Sequence, residues 1–287
     1  MSQSTQALEY IIDAPQLKQA AIFIKEKVGA VPQLAAILGS GLGPFANAAQ
    51  NTTVIPTSAI PGYPISTVSG HAGRWVLGEI EGKPILLMQG RIHTYEGYPI
   101  SRVVFPVHLM AELGVKKLIV TNASGGVNPQ FKPGDLMLID DQINLMFANP
   151  LRGQHEHKWG PRWPDMSDPY SRELQEVAMR VARELQIPLR RGVLLASKGP
   201  SYESAAEVQM ARRLGADALT MSTVPEVITA IYRRMQVLGI SCVTNLATGL
   251  SHQKLDHAEV TETANRISET FARLMRGIVR EIAILKE

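Results

Sequence analysis

Cysteine is almost missing from this chain. Cys242 is the only one among 287 residues, so neither a disulfide framework nor a cysteine-rich metal site can be built. An excess of one charge is missing too. Against 26 Asp and Glu stand 29 Lys and Arg, a net +3, and no run of basic residues exceeds two. That balance argues against a nucleic acid or a membrane as partner, since both reward concentrated basic patches. No apolar stretch approaches the ~20 residues a bilayer span needs, and Met1–Gln6 lacks the charged-then-apolar pattern of a signal peptide. The expectation is a soluble, cytoplasmic protein. One local absence is more informative. From Lys27 to Gly78, about fifty residues, there is no Asp or Glu, so a free anion bound there would meet no fixed negative charge on that stretch.

Inside that interval lies Ala35-Ala36-Ile37-Leu38-Gly39-Ser40-Gly41-Leu42-Gly43. An apolar run that reads as a buried strand ends in three glycines at alternate positions. Such a corner is expected to turn several backbone N–H groups one way, and Ser40 adds a hydroxyl donor. The pattern reads as a phosphate cradle, although it could also be a plain glycine-rich corner. It is not the dinucleotide fingerprint, because the third glycine comes one residue early and no acid follows roughly 20 positions on. Nor is it the triphosphate-binding loop, because no Lys-Ser or Lys-Thr follows the glycines.

Apolar spacing predicts helices over Gln16–Lys27, Ile100–Leu113, Ser171–Leu185, Val224–Met235 and Ala258 to about Leu285. A further helix to Leu214 opens at the capping box Ser204-Ala205-Ala206-Glu207. Strands are expected at Arg74–Ile80 and Pro84–Gln89, split by a hairpin-like Glu81-Gly82-Lys83, and at Lys117–Thr121, Asp135–Asp140, Gly192–Ser197, Ala216–Met221 and Gly239–Thr244. Asn51–Pro64 and Asn122–Gly126 read as loops. Asn144–Pro169 reads as a long irregular stretch, of a length usually kept for function. Hydrophobic residues make up 45 % of the chain, enough for a sizeable core. The alternation of strands and helices, without repeat or linker, predicts an α/β fold in a single domain over 1–287, with its core at about 31–276.

Several clusters carry chemistry. Gly90-Arg91-Ile92-His93-Thr94-Tyr95-Glu96 sets a guanidinium and an imidazole two residues apart, on one face of an extended backbone. A surface turn with an Arg–Glu pair is the blander alternative. Glu203 follows a strand and has no structural duty, because Glu207 already serves the capping box. Thr220–Glu226 ends a strand and begins a helix, so its N–H groups and Ser222 can face an anion, or the segment can simply be an ordinary helix start. Asn245 ends a strand, where α/β folds place ligands. His155-Glu156-His157 lacks metal-ligand spacing, and His108 and Cys242 read as packing.

In combination, ILGSGLG (37–43), SGHAG (69–73), GRIHTYEGYP (90–99), VTNASGG (120–126), GDLMLIDDQINL (134–145), NPLRG (149–153), GPSYESAAE (199–207), MSTVPEV (221–227) and TNLA (244–247) closely resemble the trimeric purine nucleoside phosphorylases of bacterial type, in order and spacing. The likeness runs from Val31 to about Leu274. It implies a single domain with a mixed, partly barrel-like β-sheet flanked by helices, the nucleoside phosphorylase fold, and assembly as a homotrimer, leaving open whether trimers pair further. The implied reaction is phosphorolysis of 6-oxopurine ribo- or deoxyribonucleosides in purine salvage, with inorganic phosphate as co-substrate and no cofactor or metal.

Carried over by position, the resemblance implies a phosphate site of Ser40, Arg91, His93, the Ala123 N–H and Ser222. Tyr95, Met221 and His257 would meet the sugar, with Trp163 lent by a neighbouring subunit. Tyr202, Glu203, Asn245 and Thr220 would meet the base, and Asn245, Glu203, His93 and His257 would be catalytic. Thr220 departs from the glycine of many relatives. Rival readings are a methylthioadenosine phosphorylase, expected to differ at Glu203, Asn245 and His257, a non-catalytic purine-binding relative, and a nicotinamide oxidoreductase, which the carboxylate-free stretch disfavours.

Overall fold

The computed structural model describes residues 12–153, 156–250 and 257–285, with the side chains of 257–261 left aside. The architecture follows from β1 (Leu34–Leu38), five consecutive buried apolar residues. A strand buried on both faces needs cover on each side, and β1 has it. Ala35 and Ile37 point into one core, with Leu17, Ala20 and Ile24 of helix α1 (Ala14–Val28). Leu34, Ala36 and Leu38 point into the other.

Around β1 is a nine-stranded mixed sheet in the order β2-β3-β4-β1-β5-β8-β7-β6-β9. The strands are β2 (Gln50–Pro56), β3 (Arg74–Ile80), β4 (Lys83–Gln89), β5 (Lys117–Gly126), β6 (Leu136–Asn144), β7 (Leu189–Ala196), β8 (Ala218–Thr220) and β9 (Gln236–Leu246). Strand β9 returns to pair with β5, so β5, β8, β7, β6 and β9 close a barrel and the other four strands extend from it as a wing. Strands β1, β4, β5 and β9 are parallel through successive pairings, which brings their C-terminal ends to one side. In open α/β sheets that side holds ligands.

The helices cover the two faces. After the one-turn α2 (Ile100–Val103), helix α3 (Phe105–Glu112) joins α1 on the first core. Helices α4 (Arg172–Glu184) and α8 (Ser268–Ile282) form the second, where Leu174, Val177 and Val181 meet Phe271, Leu274 and Ile278. Between them in sequence lie α5 (Ala205–Arg213), α6 (Val224–Tyr232) and α7 (His257–Arg266). Helix α5 opens with the expected capping box, since Ser204 and Glu207 satisfy each other's backbone N–H.

Four expectations fail. Asn51–Pro64 is not all loop, because β2 pairs antiparallel with β3 and forms an edge strand. Its side chains are exposed except Ile55, so no alternating pattern marked it. Asn122–Gly126 is strand, because β8 and β9 both pair with it and the ladder uses backbone groups that need no large side chain. The helix expected over 100–113 breaks at Val104, since Pro106 has no N–H to continue the ladder. The terminal helix breaks at Ile267. Its first part is bound for the glycine corner and its second for α4.

Candidate active site

The glycine corner closes tightly on its neighbours. A side chain at Gly39 would meet the Thr121 carbonyl at 2.7 Å and Arg91 Nη1 at 3.0 Å. Gly41 has φ +74°, and a Cβ there would come within 2.3 Å of Ala264 Cβ in α7, so only glycine fits both the dihedral and the space. Two of the N–H groups expected to face outward are used internally. Gly39 N–H donates to Thr121 Oγ1 (3.2 Å) and Leu42 N–H to Gly39 O (3.0 Å). The corner therefore offers fewer backbone donors than its sequence suggested, and the Ser40 hydroxyl matters more.

Arg91 is 2 % exposed, and its guanidinium is held on three sides. Nε donates to Glu226 Oε1 at 3.1 Å, and Nη2 lies 2.9 Å from Glu226 Oε2. Nη1 donates to Thr121 O (2.5 Å) and reaches Ser222 Oγ at 3.4 Å. The partner of Arg91 is thus Glu226 on α6, and the surface Arg–Glu pair considered from the sequence does not form. Nothing near Glu226 in sequence announces this, because an acid in a helix's first turn is commonplace.

Thr223, which carries the chain from β8 into α6, sits at φ 72°, ψ −55°. Val224 N–H bonds back to Ser222 O at 2.8 Å. This is the rarer, positive-φ γ-turn, strained for any residue and more so for a β-branched one. The turn delivers both Ser222 and Glu226 to Arg91.

His93 is 5 % exposed and caps the short turn Thr94–Glu96. Its Nδ1 lies 3.1 Å from Glu96 Oε1, which also accepts from the His93 backbone N–H at 2.7 Å. The other Glu96 oxygen accepts from the Thr67 N–H and hydroxyl. Burial pushes the Glu96 pKa up, but the hydrogen bonds from His93 and Thr67 outweigh it and pull it down to about 2. Burial, helped by Arg91, pulls His93 below the usual imidazole value despite Glu96. A neutral His93 facing a carboxylate carries its proton on Nδ1, an assignment drawn from the hydrogen bonds.

Rings stack in sequence here. His71 lies 5.3 Å from His93, and His93 4.6 Å from Tyr95, centroid to centroid. His71 Nε2 is 3.2 Å from Ser40 Oγ, and its Nδ1 is 3.0 Å from Arg91 O. Burial, with His93 and Arg91 nearby, pushes His71 down to about 4. Sequence reasoning gave no role to His71, Glu96 or Glu226. For His71 the available signal was a histidine set between glycines in a stretch free of acids.

Across the cavity, Ser197 Oγ donates to Glu203 Oε1 at 2.8 Å. Thr244 Oγ1 donates to Asn245 Oδ1 at 2.9 Å, and Asn245 Nδ2 to Leu246 O at 3.1 Å, which leaves the second amide hydrogen for a ligand. Ser40, Arg91, His93, Ala123 and Ser222 share one cavity with Tyr95, Met221, Tyr202, Glu203, Asn245 and Thr220, enclosing about 720 Å³ with its open mouth. Trp163 does not join them. It is 86 % exposed and lines a separate hollow with Arg162 and Met166. His257 begins α7, but its side chain lies outside the described residues, as does His155. His108 is buried against Trp159, and burial lifts the Cys242 thiol to about 12, both as packing residues. Among the described residues no group of three or more His, Cys, Asp or Glu could hold a metal ion, and no helix is long and apolar enough to cross a membrane.

Residues 33–280 match the model of the Phosphorylase superfamily. The chain is 51 % identical to purine nucleoside phosphorylase 1 of Geobacillus stearothermophilus over 93 % of its own length and 97 % of the relative's. It is 48 % identical to the Bacillus subtilis protein of the same name, over 93 % and 98 %. The solved purine nucleoside phosphorylase of Schistosoma mansoni superposes with TM-scores of 0.90 in complex with adenosine and 0.89 with inosine. At 34 % identity these cover 96 % and 97 % of this chain and 100 % and 99 % of theirs.

Proposed function

Because the chain belongs to the Phosphorylase superfamily, as one of its purine nucleoside phosphorylases, we infer that its cavity cleaves the N-glycosidic bond of 6-oxopurine nucleosides with inorganic phosphate. The products are the free base and a pentose 1-phosphate. The observation that carries the residue assignment is the meeting of two unlike sets in one cavity, Ser40, Arg91, His93 and Ser222 together with Glu203 and Asn245. The first set suits an oxyanion, the second a heterocycle with both donor and acceptor edges.

As the C1′–N9 bond breaks, its electron pair leaves with the purine and the sugar becomes cationic. A phosphate dianion held beneath C1′ stabilises that charge and then forms the new C1′–O bond, so no side-chain nucleophile is needed. Ser40, Ser222 and the Arg91 guanidinium are the donors for that dianion, joined by the Ala123 N–H, and His93, with its proton on Nδ1, presents Nε2 as an acceptor for the one proton the dianion HPO₄²⁻ still carries. Asn245 Nδ2 donates to N7 of the departing base, which takes the electron pair and then a proton from water. Glu203 accepts from N1–H, and from the 2-amino group of guanine. Adenine offers a lone pair at N1, so the same carboxylate opposes it, and a site built on such a bond discriminates by ~10⁴ or more. Tyr202 walls the base, and Tyr95 and Met221 line the sugar. His257 is assigned the 5′-hydroxyl by position alone.

Trp163 stands outside its own cavity and is exposed, which supports the reading that it completes a neighbour's sugar pocket in a homotrimer. A cytoplasmic enzyme needing no cofactor beyond phosphate is the accompanying proposal. The test is base release from inosine, guanosine, xanthosine and adenosine, each with and without phosphate. Strict phosphate dependence with preference for the 6-oxo substrates is expected. Equal turnover of adenosine and inosine overturns the role given to Glu203, and phosphate-independent release overturns the mechanism.

A further inference from the structure

Thr220 was expected at the base. Its hydroxyl faces elsewhere. Oγ1 lies 3.4 Å from Ala123 O and 3.3 Å from Ser222 Oγ. Those are two of the residues given to phosphate, and they come from different elements, β5 and the β8–α6 turn. The backbone leaves the side chain little choice. Thr220 ends the three-residue β8, in register with Ala196 of β7, and its carbonyl accepts from Ser197 N–H at 2.9 Å. Thr220 is 6 % exposed, so its hydroxyl must find partners within the protein.

We propose that Thr220 is a positioning residue for the phosphate, tying the Ala123 strand to the site before the anion arrives and supporting the Ser222 hydroxyl once it is bound. The proposal rests on the phosphate site described above. A serine hydroxyl has one proton and two lone pairs. Around Ser222 Oγ stand Arg91 Nη1 at 3.4 Å, Thr220 Oγ1 at 3.3 Å and Thr223 Oγ1 at 3.2 Å. For Ser222 to aim its proton at an anion, its two lone pairs must be met by donors, so two of these three neighbours must donate to it. Arg91 always can. Thr220 can, by turning its proton from Ala123 O to Ser222 Oγ when the anion arrives. Its hydroxyl then polarises that of Ser222, in the sense in which chained hydrogen bonds strengthen one another. Thr223 is pinned by its strained turn and serves as the second hydroxyl neighbour. Without the Thr220 hydroxyl, Ser222 has one fewer donor and Ala123 O loses a partner.

Thr220→Val keeps the branched shape and removes only the hydroxyl, and Thr220→Ala removes it without adding a methyl. Thr220→Ser retains it. Phosphate binding to the free enzyme is measured by calorimetry, with KM for phosphate and for inosine from kinetics. Both hydroxyl-free variants are expected to weaken phosphate about 3- to 10-fold, the worth of one neutral hydrogen bond, with KM for inosine within about twofold of the parent. Thr220→Ser is expected to stay within about twofold for both substrates. A changed inosine KM or inosine-to-adenosine ratio with phosphate affinity unmoved overturns the proposal and returns Thr220 to the base. No change in either overturns it as well. Should Thr220→Val fail to fold, Thr220→Ala carries the same readout. A parent enzyme that cleaves inosine without phosphate would sink the underlying mechanism instead, a result visible before any variant is made.

Discussion

Replacing Glu226 by Gln keeps the shape of the side chain behind Arg91 and removes its charge. Both partners are almost wholly buried, at 1 % and 3 % side-chain exposure. The guanidinium would be left charged in the interior, with the amide able to accept at Nε but offering its own N–H₂ to another donor at Nη2. Breaking a buried ion pair in this way costs about 3–5 kcal/mol. At roughly 2–4 °C per kcal/mol for chains a little shorter than this one, the ligand-free Tm of Glu226→Gln should fall by roughly 6–20 °C. Phosphate then becomes the missing counter-ion. Ligand at a hundred times its Kd adds about 2.7 kcal/mol to any enzyme that binds it only when folded. In the variant the anion also relieves the stranded cation, so its stabilising increment should exceed the parent's. Thermal unfolding with and without saturating phosphate, on both proteins, measures the two quantities. A double variant, Arg91→Met with Glu226→Met, separates structure from chemistry. Exchange of a whole buried pair for apolar groups is often neutral or stabilising, so Tm should recover while phosphorolysis does not. If ligand-free Glu226→Gln melts within about 2 °C of the parent, with an unchanged phosphate increment, the argument that this pair is buried and coupled to the anion fails.

Acid should lower the stability of the protein over two pH ranges. Burial holds His71 near 4 and His93 and His108 below the usual value, so the unfolded chain binds protons first and stability declines as pH falls below about 6.5. Glu96, depressed to about 2, contributes fully above about pH 4.5 and loses its contribution as pH falls towards 2. Urea midpoints from pH 7.5 to 4.5 should therefore slope downward, and less steeply in His71→Asn; a flat profile contradicts the burial of these rings. Ser197→Ala frees the Glu203 carboxylate from its 2.8 Å partner, and kcat/KM for inosine should fall about 3- to 10-fold while adenosine changes less. An unchanged inosine-to-adenosine ratio would show that Glu203 needs no such support. Gly41→Ala would drive a methyl into Ala264 and should lower both stability and phosphate affinity. Adding Ala264→Gly should recover part of the loss, leaving the cost of the φ and of a glycine within α7; a double variant that melts lower than Gly41→Ala by the full cost of Ala264→Gly alone would mean that this contact is not the cause.

Local chemistry was legible without the structure. The apolar run of β1, the glycines after it, the Ser204–Glu207 box and the turn between β3 and β4 each report on residues a few positions apart, and the structure has them where the pattern put them. Strand β2 and residues 122–126 were not legible. What makes them strand is a neighbouring backbone, and backbone pairing leaves no mark on exposed or very small side chains. The terminal helix kept a continuous apolar stripe while its two parts turned to different surfaces, Ala264 to the glycine corner and Phe271, Leu274 and Ile278 to the second core.

The same division runs through the site. Sequence alone determined the kinds of group present, a glycine corner, a guanidinium and imidazole two residues apart, an unemployed acid and a strand-end amide. Tertiary structure alone decided which carboxylate holds Arg91, because Glu226 is 135 residues away and is delivered by a strained turn. It also decided that the Thr220 hydroxyl faces Ser222 and Ala123, because closure of the barrel sets β8 against β5. Composition and order specify the groups, but electrostatic pairing acts through distance in space, and only the folded chain sets that distance.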